Sequence, residues 1–326
     1  MKKKIALVTG GYSGEAVISY RSAATIYAHL DKTRYDVYKI DVTPSGWFYE
    51  DEDGKRTSVD KDDFTITVND HLVSFDVVFI GMHGTPGEDG KLQGYFDILG
   101  LPYTSCSAAA SALTFNKRYT VAVAFMAGIP VANSVHLFKR SPYSIDSILQ
   151  LKLPYFVKPN NGGSSIGMSK VTEASQLQAA IEKAFAEDDQ VLVEEMIQGR
   201  EFTVGVFKSE AKITVLPITE VVAHNEFFDF EAKYGGKSSE TTPANITEDW
   251  QSVLEATAKK IYEVFNCSGV VRIDFIYHAE QNKAYMLEIN TIPGQSDASV
   301  IPQQVRAKGW NLSDFYTKIV EEAMNT

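Results

Sequence analysis

The chain reads as an α/β protein of two or three lobes, the first of them a parallel sheet covered by helices. Three observations predict this. Strand-like and helix-like segments alternate from the start, the pattern of parallel strands joined by helical crossovers. The 326 residues exceed one ordinary core. The composition, 44% hydrophobic and 22% charged, is that of an ordinary soluble protein, and no apolar run reaches the roughly 18 residues of a membrane span.

The elements follow in order. Met1-Lys2-Lys3-Lys4 and the apolar residues after it have the charge of a secretion signal, but the apolar part is short and runs into Gly10-Gly11. A first strand over Lys4 to Thr9 is expected instead. A helix near Ser19 to Leu30, strands Tyr35 to Val42 and Val77 to Ile80, and a helix near Lys91 to Leu99 complete a lobe over 1–105. Glu50 to Asp63, charged and glycine-containing, reads as a surface hairpin or loop. In such lobes ligands sit at the C-terminal ends of the strands. A second lobe, 106–194, holds helices at Asn116 to Ala127 and Ser144 to Leu151, the strand Tyr155 to Lys158, and a helix Glu173 to Ala186. In that last helix Leu177, Ile181, Ala184 and Phe185 recur at helical spacing. The third lobe, 195–326, has a helix Glu248 to Phe265 with Leu254, Ala258, Ile261 and Phe265 on one side.

The most informative stretch is a ribbon in the third lobe. Val270 to Tyr277 and Lys283 to Thr291 alternate as strands, with Gln281-Asn282 at the turn. Val271, Ile273 and Phe275 then point one way, Arg272 and Asp274 the other. One antiparallel register pairs Asp274 with Glu288 and Arg272 with Asn290, which puts four polar groups on one face. Two carboxylates and an amide oxygen suit magnesium, which takes few protein ligands and shares the rest with water and phosphate. The arginine suits phosphoryl oxygens.

Other features narrow the function. A net charge of −11 argues against a nucleic-acid surface, which normally shows a basic face. Cys106 and Cys267 are the only cysteines and have no metal-ligand spacing, so buried thiols in a reduced, cytoplasmic setting are expected. Lys158 ends a strand that opens into Asn160-Asn161-Gly162-Gly163-Ser164-Ser165, a loop whose backbone N–H groups can approach phosphate beside a lysine charge. Gly163-Ser164-Ser165-Ile166-Gly167 also matches the G-x-S-x-G elbow of hydrolases, but Met168 to Val171 reads as extended where a helix should follow. Gly236-Lys237-Ser238 resembles the end of a P-loop, yet the required upstream glycine falls at Glu231. Gly10 to Glu15 does not fit G-x-G-x-x-G. Glu15 is placed either to grip a cationic group at the crevice or to sit at a helix N-terminus. His83-Gly84 ends a strand, where a lone histidine is more often structural than catalytic.

Together these residues resemble the D-alanine:D-alanine ligases of the ATP-grasp superfamily, in order and spacing from Gly10 to Pro302. The matching motifs are Gly11-x-Ser13-x-Glu15, His83-Gly84 with Gly87-Glu88-Asp89-Gly90, Lys117, Lys158-Pro159 with Gly163-Ser164-Ser165, and Glu201-Phe202-Thr203-Val204. Lys233-Tyr234, Arg272-x-Asp274 and Glu288-x-Asn290-Thr291-x-Pro293-Gly294 follow. The resemblance implies an ATP-grasp fold with a parallel-sheet N-terminal lobe, and ATP between the central and C-terminal lobes. It gives Lys117 and Lys158 to the phosphates, Glu194, Glu195 and Ile197 to the adenine and Glu201 to the ribose, with Ser164 and Lys233 also at the nucleotide. Asp274, Glu288 and Asn290 would hold two magnesium ions, manganese being a possible substitute.

It further implies that one D-alanine carboxylate takes the γ-phosphate of ATP and that the amine of a second displaces it, giving D-alanyl-D-alanine for peptidoglycan precursors. Glu15 would receive the first ammonium group, and Arg272 and the N–H of Gly294 the oxyanion. Ser299 and Val300 would take the second carboxylate, with His83 and Lys233 completing the substrate set. Glu15, Ser164 and Tyr234 would join the three lobes when a lid near Glu226 to Pro243 closes, and a homodimer would form through the N-terminal lobe. Many family members have an Arg or Glu where this chain has Asn160-Asn161-Gly162, and Met-Thr where it has Gln295-Ser296. The wording of Asp297 to Pro302 departs too, and these changes bear on the second substrate. The alternatives are a D-alanine:D-lactate ligase of the same fold, against which Tyr234 speaks, a serine hydrolase using Ser165, and a silent nucleotide-binding protein.

Overall fold

The computed structural model describes residues 2–51, 53–162, 166–223 and 238–325. Strand β1 (Lys3–Gly10) is the centre of the first sheet. It pairs in parallel with β2 (Tyr35–Thr43) on one side and β7 (Val77–Ile80) on the other. β3 (Gly46–Glu50) and β4 (Arg56–Ser58) add to β2 in antiparallel sense, so the charged stretch after residue 50 is a hairpin. A separate two-stranded ribbon, β5 (Ile66–Val68) and β6 (His71–Val73), turns through Asn69 and Asp70, both at positive φ.

Because β1 is buried on both faces, its apolar run is continuous. Ile5 and Leu7, with Val77 and Phe79, face one core, whereas Ala6 and Val8, with Val78 and Ile80, face another. Helix α1 (Ala16–His29) covers the first face with Ala23 and Ile26. Helix α2 (Lys91–Leu99) covers the second with Leu92 and Phe96.

Helices α3 (Ala108–Phe115) and α4 (Lys117–Met126) follow, capped by the side chains of Ser107 and Asn116. They place Ala110 and Ala124 in the core of the C-terminal sheet. β8 (Ser134–Phe138), β9 (Tyr155–Pro159), β10 (Ser169–Val171) and β11 (Gln190–Glu195) form an antiparallel sheet in the order β10-β9-β11-β8. The helix expected over Ser144 to Leu151 is a single turn, α5 (Ile145–Ile148). Only Ile148 of that turn is buried, and Pro154 soon follows, so nothing sustains a longer helix. After a 3₁₀ turn at Ala174–Gln176, α6 (Leu177–Glu187) buries the expected stripe of Leu177, Ile181, Ala184 and Phe185.

The largest sheet is antiparallel, in the order β15-β14-β12-β16-β17, with β13 also on β12. Its strands are β12 (Arg200–Ser209), β13 (Lys212–Val215), β14 (Thr219–Ala223), β15 (Ser238–Thr241), β16 (Val270–His278) and β17 (Lys283–Asn290). Helix α7 (Glu248–Val264) packs on it through Leu254, Ala258 and Ile261, as its periodicity predicts. The last helices, α8 (Val300–Ala307) and α9 (Leu312–Asn325), leave this sheet and enter the core of the first one. Ile301, Val305, Phe315, Tyr316 and Ile319 lie with Ile5, Leu7 and Phe79. One apolar core therefore fixes the first sheet against the third lobe. Cys106 and Cys267 are both buried free thiols. No helix among the described residues is long and apolar enough to cross a membrane.

Candidate active site

The ribbon β16–β17 has the register that its alternation predicts. Arg272 lies opposite Asn290 and Asp274 opposite Glu288, with a bulge just after Asp274. Ile273 and Ile289 go into the core on the other face. Arg272 grips Asp274 with both arms, Nε to Oδ1 at 2.9 Å and Nη2 to Oδ2 at 2.8 Å. Thr203, opposite Asp274 on β12, donates to Oδ1 at 2.6 Å. Asn290 donates to Oδ2 at 3.3 Å, and Nη2 of Arg272 is 3.9 Å from Oε1 of Glu288. The buried Asp274 is thus compensated by a guanidinium, a hydroxyl and an amide.

A cavity of about 330 Å³ opens over this face. The first lobe contributes Glu15, His83 and Glu88 to its wall, and α4 contributes Lys117. From the third lobe come Glu201 and Thr203, the four ribbon residues, Gly294, Ser299 and Val300. Lys117 Nζ donates to the carbonyl of Gly162 at 2.6 Å, which ties the loop after Lys158-Pro159 to the cavity. Ser299 precedes α8, of which Val300 is the first residue, with its Oγ on Ser296 Oγ rather than on the helix, so a helix N-terminus borders the site. A Cβ on Gly294 would stand 2.8 Å from Ser299 Oγ.

Four predicted nucleotide residues do not line this cavity. Lys158 and Glu194 form a largely buried ion pair between β9 and β11. Glu195 uses one carboxylate oxygen on the N–H of Lys152 at 2.8 Å and the other on Asn133 at 2.9 Å. Ile197 follows β11. Ser164, Lys233 and Tyr234, and Ser165 of the hydrolase motif, lie outside the described residues, as does most of the expected lid. Met168 onward is extended into β10 and α6 starts only at Leu177, so the strand-to-helix elbow of a hydrolase is lacking there.

Electrostatics single out the first-lobe wall. Burial, and then the neighbouring Glu15 carboxylate, push Glu88 up to about 8, although the N–H of Gly84 donates to it at 2.7 Å. Burial takes His83 down to about 4, leaving a neutral imidazole whose Nε2 bonds Ser22 Oγ at 2.8 Å. The backbone of Ile292 bonds both groups. Gly84 is at φ +67°, and a Cβ there would meet Glu15 Oε2 at 2.4 Å. A glycine is therefore required under Glu15.

Sequence reasoning did not assign Glu88 or Thr203 to the site. The one signal was their place inside the quoted motifs, since only the fold puts Glu88 beside Glu15 and Thr203 opposite Asp274. Among the described residues no three His, Cys, Asp or Glu side chains form a metal cluster. The groups that the resemblance assigns to a metal, Asp274, Glu288 and the amide Asn290, offer oxygen atoms only, a set that would fit magnesium better than zinc.

Family models agree with this architecture along the chain. One described as the D-ala D-ala ligase N-terminus matches residues 4–106, and one described as the D-ala D-ala ligase C-terminus matches 123–321. A D-alanine–D-alanine ligase of Parabacteroides distasonis is 46% identical over 325 residues, covering 99% of this chain and 98% of that protein. The crystal structure of D-alanyl-alanine synthetase A from Vibrio cholerae superposes with a TM-score of 0.88 at 30% identity, covering 100% of this chain and 99% of that one. The D-alanine–D-alanine ligase of Bacillus anthracis complexed with ATP gives 0.80 at 25% identity, covering 99% and 98%. By fold, by the face of β16–β17 and by likeness over its whole length, the chain belongs to the D-alanine–D-alanine ligase family of ATP-grasp proteins.

Proposed function

We infer that the protein joins two D-alanine molecules with ATP, through D-alanyl phosphate, to give D-alanyl-D-alanine for peptidoglycan precursors. The single observation that carries this is the β16–β17 face, where Arg272, Asp274, Glu288 and Asn290 share one cavity with Glu15 across the lobes. A carboxylate is a poor acylating agent, so it must be activated before an amide can form. Asp274, Glu288 and Asn290 would hold magnesium, whose charge offsets that of the transferring phosphate. Lys117 and Lys158 serve the phosphates and Glu201 the ribose. With the Glu195 carboxylate engaged by Lys152 and Asn133, residues 194–197 meet the adenine through their main chain.

Glu15, with Glu88 behind it, receives the ammonium group of the first D-alanine. Its carboxylate oxygen attacks the γ-phosphorus and ADP leaves. The amine of the second D-alanine attacks the acyl carbon, and the tetrahedral oxyanion is met by Arg272 and the N–H of Gly294 before phosphate departs. Ser299 and Val300, at the α8 N-terminus, take the second carboxylate. Ser164 and Tyr234 complete a link with Glu15 as the lid closes, with Lys233 at the nucleotide. Family likeness supports a cytoplasmic homodimer joined through the N-terminal lobe, with three lobes over 1–105, 106–194 and 195–326. The test is ADP release with D-alanine or L-alanine, with and without magnesium. Activity is expected only with D-alanine and magnesium, and near-total loss in Glu288→Ala. Predominant ester formation at neutral pH, with D-lactate and D-alanine in competition, would instead identify a depsipeptide ligase.

A further inference from the structure

Gly294 is followed by an amide side chain to which the proposed chemistry gives no role. Gln295 is only 4% exposed, and three of its groups are hydrogen-bonded. Its backbone N–H donates to Ser22 Oγ at 3.1 Å, its Nε2 to the carbonyl of Pro293 at 3.2 Å, and its Oε1 accepts from the buried Tyr316 hydroxyl at 3.2 Å. A carbonyl can only accept, so the NH₂ end of the amide must face Pro293 and the oxygen must face Tyr316. Ser22 Oγ is also hydrogen-bonded to His83 Nε2 at 2.8 Å.

The Pro293 carbonyl and the Gly294 N–H belong to one peptide unit. That unit is not among the cis bonds of the chain, and in a trans unit the two groups point to opposite sides. A hold on the carbonyl therefore sets the direction of the N–H. The unit needs such a hold, because the following glycine has no Cβ to oppose its rotation, and half a turn would present a carbonyl where a donor is required. We propose that Gln295 is a positioning residue that locks the Pro293–Gly294 peptide unit with its N–H aimed at the oxyanion of the second chemical step. This rests on Gly294 being the donor in that step. Ser22 and His83 anchor the lock in the first lobe, and Tyr316 anchors it in α9. Methionine, of similar length, has no donor for the Pro293 carbonyl, so Gln295→Met removes the hold.

The test compares wild type, Gln295→Met and the near-isosteric Gln295→Glu in single turnovers quenched in the millisecond-to-second range, scoring ADP and dipeptide separately. Both variants are expected to release ADP at the wild-type rate and to form dipeptide about tenfold more slowly, a part of the 100- to 1000-fold that a whole oxyanion donor contributes. KM for ATP and D-alanine should stay within about twofold. Q295E should recover toward wild type as pH falls, since a protonated carboxyl again donates to Pro293 while accepting from Tyr316, and Q295M should not. Equal slowing of ADP and dipeptide, or unchanged dipeptide formation in both variants, overturns the lock. A wild-type protein that forms no dipeptide defeats the functional reading itself.

Discussion

Replacing Glu88 by Gln should remove a pH dependence of stability that the cavity wall imposes. Glu88 rises from an ordinary 4.5 to about 8, through burial first and the Glu15 carboxylate second. The native state thus binds one proton that the unfolded state has lost between those pH values. Stability from this source is complete below about pH 4.5 and is lost as pH rises through 8. At about 1.36 kcal/mol for each pH unit, the full loss is on the order of several kcal/mol. Gln keeps an oxygen for the Gly84 N–H and never ionises. Denaturant midpoints of wild type and Glu88→Gln should therefore agree near pH 5, draw apart as pH rises toward 8 and keep a constant gap above it, with the variant the more stable. Parallel curves across that range, or a gap that opens toward acid, would refute the argument. The same shift keeps Glu88 in its neutral, proton-donating form at neutral pH.

Two further changes probe other walls of the cavity. Thr203→Val removes the 2.6 Å bond to Asp274 and should raise the magnesium concentration needed for half-maximal ADP release by about tenfold, the low end for a lost support of a metal ligand, with the thermal midpoint little changed. Gly84→Ala puts a methyl 2.4 Å from Glu15 Oε2 at a positive φ, which should cost about 1–3 kcal/mol of stability and raise KM for the first D-alanine more than KM for ATP, read from steady-state kinetics and thermal denaturation.

That Arg272, Asp274, Glu288 and Asn290 share a face was legible from strand alternation, but the bulge after Asp274, which shifts the turn-side register by one residue to pair Asp274 with Glu288, was not. Helices α6 and α7 were legible for the same local reason. What sequence hides here is long-range. Thr203 meets Asp274 through pairing between strands some 70 residues apart, and Glu88 owes its raised pKa to burial by the folded lobes first and then to Glu15 on a different loop. Lys158 reads as a free phosphate lysine at a strand end, yet β11 sets Glu194 against it. The Asn69-Asp70 turn was a local signal for the β5–β6 ribbon that the charged surroundings obscured. The lock around Gln295 needed three separate segments brought together, and no periodicity announces that.

The sharing of one apolar core between the first sheet and the C-terminal helices has a consequence for biosynthesis. β7 is complete about 230 residues before α9 begins, on the order of 10 to 50 s of translation at roughly 5–20 residues per second. During that interval Ile5, Leu7 and Phe79 wait on the ribosome without their final cover, and a nascent chain stopped before Leu312 would keep that face wet and sticky. The first lobe is thus finished by helices synthesised long after it, and its core closes only once α9 has left the ribosome.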